Sequence, residues 1–114
     1  MGRKLDLRTL EQPTLELTLL DDDNTMLRLI VPDVDLIEKL QVVAPKMRKI
    51  ADSNDGAAIK AIYELFADII SNNMDEITVT AEELRDKYRL KLVHLMFICA
   101  DYLEFIGEIK NAKN

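Results

Sequence analysis

The run from Leu90 to Ile109, LKLVHLMFICADYLEFIGEI, places the strongest constraint on the fold. It is the longest helix-compatible stretch of the chain, with no proline and no glycine before Gly107. Apolar residues at steps of three and four form one helix face, and they are Leu92, Leu95, Met96, Cys99, Leu103 and Ile106. The first half is apolar nearly all round. We therefore predict a central helix about 30 Å long, covered on several sides by its own chain or by a neighbouring subunit.

Charged residues limit the partners of this chain. Lys91, His94, Asp101 and Glu104 interrupt the long run, whereas a transmembrane helix needs about 20 mostly apolar residues. We therefore predict no membrane partner. The net charge of −6 argues against binding nucleic acid, because phosphates repel an acidic surface, and leaves basic partners open.

Length and composition indicate one globular domain over residues 1–114. A chain of this length buries about two-thirds of its unfolded surface, so it needs neither disulfides nor metals. Hydrophobic residues make up 48% and charged residues 32%, which is typical of a folded protein. The single cysteine, Cys99, predicts a buried thiol in a reducing compartment. No apolar run follows the start MGRKLDL, so we expect no signal peptide and a cytoplasmic location.

Two alternating segments predict a β-hairpin at residues 13–31, after an N-terminal arm at residues 1–12. The turn-forming cluster Asp21 to Asn24 separates the two strands. The apolar face of the hairpin is formed by Leu15, Leu17, Leu19, Leu27, Leu29 and Val31. Two strands alone are marginal in water, so we expect this face to pack on helices. The open edges of the hairpin suit an additional strand.

The remaining part, residues 33–110, predicts about four helices. Asp33 is a suitable N-cap, and Pro45 predicts a break in the first helical run. A further helix spans about Ala57 to Ser71, and another starts at Thr80, where the pattern Thr-x-x-Glu makes a capping box. The fold class is therefore α+β: a two-stranded N-terminal hairpin packed on a mainly helical bundle, with the long C-terminal helix at its centre.

Residues with chemical potential are few. His94 is the only histidine, and Cys99 points about 140° away from it on a helix, so we expect a half-buried or interface histidine. One histidine and one cysteine do not supply a zinc site. The acidic cluster at Asp21 lacks the glycine and the distant glutamate of an EF-hand, which favours a solvated turn. We predict no metal, no cofactor and no enzymatic activity.

The apolar faces of the helices and the open hairpin edge support self-association or helix-in-groove binding. A monomeric bundle packed on a hairpin explains the same pattern equally well. Asp101, Glu104 and Glu108 recur at steps of three and four, which is typical of a solvated helix face and also suits a basic helical partner.

Two stretches resemble a known family: EQPTLELTLLDDDNTMLRL, followed by Pro32, and the closing ITVTAEELRDKYRLKLVHLMFICADYLEFIGEIKNAKN. They are similar to tail assembly chaperones, small proteins encoded among the tail genes of long-tailed phages and prophages of Gram-positive bacteria. The resemblance covers nearly the whole chain and carries no catalytic motif. It implies a non-enzymatic role in virion morphogenesis, performed in the host cytoplasm by a protein that is not in the mature virion.

The resemblance also implies partners. Chaperones of this family self-associate into rings or spirals, coat the helical tape-measure protein and help to recruit tail-tube protein. For packing in the core or in such an interface we select Leu15, Leu17, Leu19, Leu27, Leu29, Leu95, Met96, Phe97, Tyr102 and Phe105. The alternative function is a small acidic regulator, which inhibits a host protein by presenting carboxylates to a basic site.

Overall fold

A computed structural model of the chain describes residues 13–111, so the predicted N-terminal arm at residues 1–12 lies outside the described residues. A two-stranded hairpin is followed by α-helices, which confirms the α+β class and the long C-terminal helix. In chain order the elements are β1 (Leu15–Thr18), β2 (Met26–Leu29), α1 (Val34–Val43), a 3-10 turn (Ala44–Lys46), α2 (Met47–Ser53), α3 (Gly56–Ser71), α4 (Ala81–Asp86) and α5 (Leu92–Asn111).

The two strands are antiparallel and shorter than the alternation predicts. Leu15 pairs with Leu29 and Leu17 with Leu27, so the leucines of both strands share one face. The ladder stops near the turn because Asp21 organises it: the carboxylate of Asp21 accepts from the Thr25 backbone N–H at 2.8 Å and from the Thr25 hydroxyl. The hydroxyl contact holds the pKa of Asp21 below its ordinary value.

The predicted break at Pro45 is confirmed. Asp33 caps α1, since its carboxylate accepts from the Leu36 N–H at 2.9 Å. The helix then tightens into the 3-10 turn that contains Pro45 and resumes as α2, because proline has no N–H to donate to the preceding turn. When α1 and α2 are taken as halves of one run, residues 13–111 contain the four helical units that the sequence predicts.

Helix α3 carries the largest share of the core. Asp55 caps its start by accepting from the N–H groups of Ala57 and Ala58. The helix packs against α1, α2, α4 and β2. Its buried side chains are those of Ile62, Tyr63, Leu65, Phe66, Ala67, Ile69 and Ile70. Helix α5 completes the same core from its own buried face.

The capping box at α4 is present as predicted. The Thr80 hydroxyl accepts from the Glu83 N–H and the Glu83 carboxylate accepts from the Thr80 N–H, each at 3.1 Å. After α4 the chain turns through Arg89, whose φ is 55°. The chain therefore bends sharply between α4 and α5, and the two helices are separate.

Candidate functional site

The structure divides the ten residues selected for core or interface packing into two groups. Six are buried within this chain, namely Leu19, Leu27, Leu29, Leu95, Tyr102 and Phe105. Leu15, Leu17 and Met96 are half-buried, and Phe97 is 68% exposed. Only the second group reaches the described surface, so a contact with another molecule on this surface would use those four.

The first half of α5 carries an exposed apolar stripe. Val93 is 49% exposed and Phe97 is 68% exposed, while Met96 is half-buried between them and Ala100 is exposed one turn further along. The spacing of these four residues places them on one face of the helix. We call them the α5 apolar face. Exposed apolar side chains in such a row are typical of an interface with another helix.

A groove of about 220 Å³ lies between β1 and α5, and Phe97 is the one residue of the α5 apolar face that lines it. Its apolar lining includes Leu15 and Leu17 from the hairpin and Phe97 from α5. Glu16 and Asp101 add carboxylates to the lining. The groove therefore has apolar walls and an acidic rim, which suits an apolar segment that carries a positive charge.

One edge of the hairpin is covered by the loop that follows α3. The C=O of Arg28 in β2 accepts from the Met74 N–H at 2.9 Å, and the Ile30 N–H donates to the Asn72 C=O at 3.0 Å. Asp75 completes this contact by accepting from the backbone N–H of Arg28 at 2.8 Å. The outer edge of β2 is therefore occupied.

The other edge of the hairpin belongs to β1. The Leu19 N–H donates to the Thr25 C=O at 2.8 Å, and the backbone groups of alternate residues point in opposite directions in an antiparallel ladder. The N–H and C=O groups of Glu16 and Thr18 therefore point away from β2. Within residues 13–111 no further strand pairs with them.

His94 and Cys99 have local structural roles. His94 is half-buried, as predicted, and its Nδ1 accepts from the Lys91 N–H at 2.8 Å, which ties down the start of α5. Cys99 is buried, and burial raises the pKa of its thiol. A raised pKa reduces the thiolate fraction at neutral pH, so Cys99 behaves as an apolar side chain.

Carboxylates line the later part of α5. Asp101, Glu104 and Glu108 are all exposed, so they form the solvated helix face that their spacing predicts.

Leu20 is 50% exposed beside the groove, a position that the sequence interpretation missed. Its signal was available, because Leu20 follows Leu19 directly and so falls out of phase with the alternating leucines of β1.

Within residues 13–111 no group of three or more His, Cys, Asp or Glu side chains is arranged to hold a metal ion. No helix in the same range is both long and apolar enough to cross a membrane.

Comparisons with family models, curated proteins and solved structures found no match to this chain. The α+β class is therefore defined by the strands and helices of this structure alone. A function is inferred from the exposed surfaces of the protein and from the sequence resemblance.

Proposed function

We propose that this protein is a non-enzymatic phage tail assembly chaperone, which self-associates and binds the tape-measure protein during tail morphogenesis. The observation that carries the proposal is the α5 apolar face, where Val93 and Phe97 remain exposed after the chain has folded. Removing such an apolar face from water is favourable in free energy, and a second copy or a long amphipathic helix would cover it.

The partner that fits the α5 apolar face is a helix with its own apolar stripe. A tape-measure protein is a long helical chain, and its stripes are aggregation-prone until they are covered. Binding would keep that chain soluble in the host cytoplasm, and self-association into a ring or spiral would place many copies along it. Tail-tube protein is the further partner that the family resemblance implies.

The test is co-expression with a tape-measure protein of a long-tailed phage, which is the partner that the family resemblance implies. The expected result is a soluble complex of high mass that contains both chains. Val93→Asp places a charge in the α5 apolar face, and we expect it to leave the partner insoluble. Val42→Asp is the matched control, because Val42 is 60% exposed on a different helix, α1, and does not line the groove beside Phe97.

Circular dichroism first establishes that both variants fold. The proposal fails if the unmodified chain stays monomeric and leaves the partner insoluble. It also fails if Val93→Asp and Val42→Asp retain the partner equally, because the contact would then not involve α5.

The second candidate is a small acidic regulator that inhibits a host protein by binding a basic site. Exposure of Asp101, Glu104 and Glu108 along one stretch of α5 favours it. A monodisperse monomer at high concentration, together with loss of host-protein capture after Asp101→Asn and Glu104→Gln, would support this function. Concentration-dependent assembly into large species would instead favour the chaperone.

A further inference from the structure

Helix α5 lies between two grooves whose rims carry opposite charges. One is the groove between β1 and α5, where Glu16 and Asp101 supply carboxylates. The other is a groove of about 260 Å³ between α2 and α5. Met96 and Ala100 of the α5 apolar face line this second groove, and Arg48 of α2 is the one charged residue among its lining residues. The α5 apolar face therefore has an acidic side and a basic side.

Val93 and Phe97 form a crest between the two grooves. Successive residues of an α-helix are about 100° apart, so Met96 lies about 100° to one side of Phe97 and Asp101 about 40° to the other. Val93 lies about 40° from Phe97 on the side of Met96. Val93 is 49% exposed and Phe97 is 68% exposed. A molecule that covers this crest therefore meets the basic rim on one side and the acidic rim on the other.

This arrangement is self-complementary. A twofold axis parallel to α5 sets the helices of two copies side by side in the same direction, and it brings the α2 side of each copy against the β1 side of the other. Arg48 lines a groove that extends along residues 96–103 of α5, so it lies near the level of Asp101 along the helix. Rotation about such an axis preserves that level. Arg48 of each copy therefore faces Asp101 of the other, and the contact contains two such pairs.

An antiparallel pair of α5 helices lacks this complementarity. A twofold axis perpendicular to α5, in the plane of the contact, brings the α2 sides of the two copies together and the β1 sides together. Arg48 then lies on the same side as Arg48 of the second copy, and Asp101 on the same side as Asp101. Like charges across an interface are costly. The rim charges therefore favour the parallel pair.

The apolar residues fit the same pair. Along a parallel contact each residue meets its own counterpart, and the steps of four and three from Val93 through Phe97 to Ala100 are those of packed helices. The small side chain of Ala100 allows close approach. The next residue in this pattern is Glu104, which is exposed, and helices that cross at an angle separate beyond their contact. The contact is therefore confined to the first half of α5.

We propose that a second copy of this chain covers the α5 apolar face through a parallel twofold contact, with Phe97 at its centre and Arg48 of each copy paired with Asp101 of the other. The inference rests on the proposed function in one respect, because it assigns a surface to self-association. A twofold contact closes after two copies, so a ring or spiral requires a further surface. A tape-measure helix that binds the same face competes with the second copy.

Charge reversal in the full-length chain tests the pairing. Arg48→Glu places a carboxylate opposite Asp101 in both pairs, and Asp101→Lys places an ammonium group opposite Arg48. We expect each variant alone to dimerise at least about tenfold more weakly than the unmodified chain. In a dimer that contains one copy of each variant, both pairs again carry opposite charges. Mixing the two variants should therefore restore the dimer, which sedimentation at several concentrations measures.

Lys49→Glu and Glu64→Lys are the matched controls. They make the same changes of charge at exposed residues of α2 and α3 that line neither groove. We expect each to dimerise within about twofold of the unmodified chain, and circular dichroism establishes that all four variants fold. A mixture of Arg48→Glu and Asp101→Lys that assembles no better than either variant alone would overturn the proposal. An unmodified chain that is monomeric at every concentration would also overturn it.

Intermolecular disulfides test the direction of the two helices. Val93→Cys and Phe97→Cys are introduced separately into a chain with Cys99→Ala. In the parallel pair each new thiol lies beside its counterpart, so both variants should form linked dimers at least about tenfold faster than Glu64→Cys does, because proximity sets the rate. In an antiparallel pair only a residue on the twofold axis meets its counterpart. Linkage at one of the two positions alone, or at neither, would therefore contradict the parallel contact.

Both tests omit the tape-measure protein, so their outcome is separate from that of the co-expression test. A chain that keeps a tape-measure protein soluble but fails the mixing and disulfide tests would overturn this inference alone. A chain that passes both tests but leaves the tape-measure protein insoluble would retain the twofold contact and lose the proposed chaperone function.

Discussion

Arg28 and Asp75 are joined through both the side chain and the backbone of the arginine. The Arg28 guanidinium donates from Nη2 to Asp75 Oδ1 at 2.8 Å, and the Arg28 backbone N–H donates to Oδ2 at 2.8 Å. These hydrogen bonds hold the pKa of Asp75 below its ordinary value, with the side-chain contact as the main cause. The pair fastens the loop after α3 to the covered edge of the hairpin.

The lowered pKa of Asp75 predicts a specific pH dependence. A carboxylate whose pKa is lower in the folded state stabilises the fold above its unfolded-state pKa of about 3.9 and loses that contribution as the pH falls through the folded-state pKa. Asp75→Asn should therefore reduce stability at pH 7, and should reduce it less at a pH below both pKa values.

Urea unfolding of both proteins at neutral and acidic pH measures this effect. Glu76→Gln is the control, because Glu76 is the exposed neighbour of Asp75. An Asp75→Asn penalty that is the same at both pH values would show that the ionised carboxylate is not the stabilising form.

Asn73 is a buried side chain that holds the same loop together. Its Nδ2 donates to the Ile70 and Ile77 carbonyls, each at 2.8 Å, and its Oδ1 accepts from the N–H groups of Asp75 and Ile77. Asn73→Ala leaves these backbone groups without partners, so we expect the free energy of unfolding to fall by about 2–3 kcal/mol. Chemical denaturation measures it.

Met74→Ala is the control for Asn73→Ala. Met74 is the adjacent side chain and is 42% exposed, so its loss should change the free energy of unfolding by no more than about 0.5 kcal/mol. Equal effects of the two substitutions would mean that the Asn73 hydrogen bonds do not stabilise the loop.

Local sequence signals predicted the starts of two helices and the break in one helical run. The caps at Asp33 and Thr80 and the break at Pro45 depend on residues within one helical turn of one another, so sequence spacing alone defines them. The hairpin followed from alternation, although each strand pairs over only four residues. Asp21 and the loop after α3 determine where the hairpin pairing ends. That loop is distant from the hairpin in the sequence.

Contacts between distant residues were beyond the sequence interpretation. Arg28 and Asp75 are 47 positions apart, and no local rule pairs them. The division of α5 into core and surface was also undetermined, because its first half is apolar on several faces. Phe105 is buried and Phe97 is exposed, and the difference depends on which distant elements pack against each turn of the helix.

Tyr102 links α5 to the end of the hairpin. Its hydroxyl donates to the Ile30 C=O at 2.7 Å, and burial raises its pKa to about 12. The unfolded chain loses the phenolic proton near pH 10, whereas the folded chain keeps it until about pH 12. The unfolded state therefore binds fewer protons in this window, and stability should fall by about 2–3 kcal/mol as the pH rises through it.

Tyr102→Phe checks both parts of this prediction. At pH 7 it removes one hydrogen bond at a cost of about 1 kcal/mol. Above pH 10 it abolishes this tyrosine's share of the pH-dependent loss, and the phenolate absorbance titration loses its component of highest pKa. An unchanged titration at the alkaline end would show that Tyr102 does not have the raised pKa.

Val93 and Leu95 are two positions apart on α5 and should respond in opposite ways to truncation. Leu95 is fully buried, so Leu95→Ala leaves a cavity and should lower the free energy of unfolding by about 2–5 kcal/mol. Val93 is 49% exposed, so Val93→Ala should change it by no more than about 0.5 kcal/mol. Val93→Ala should weaken self-association more than Leu95→Ala does, because Val93 lies in the α5 apolar face. Denaturation curves give the stabilities, and sedimentation at several concentrations gives the assembly state. A stable Val93→Ala protein that assembles exactly as the unmodified chain does would remove Val93 from the contact and move the interface to another surface.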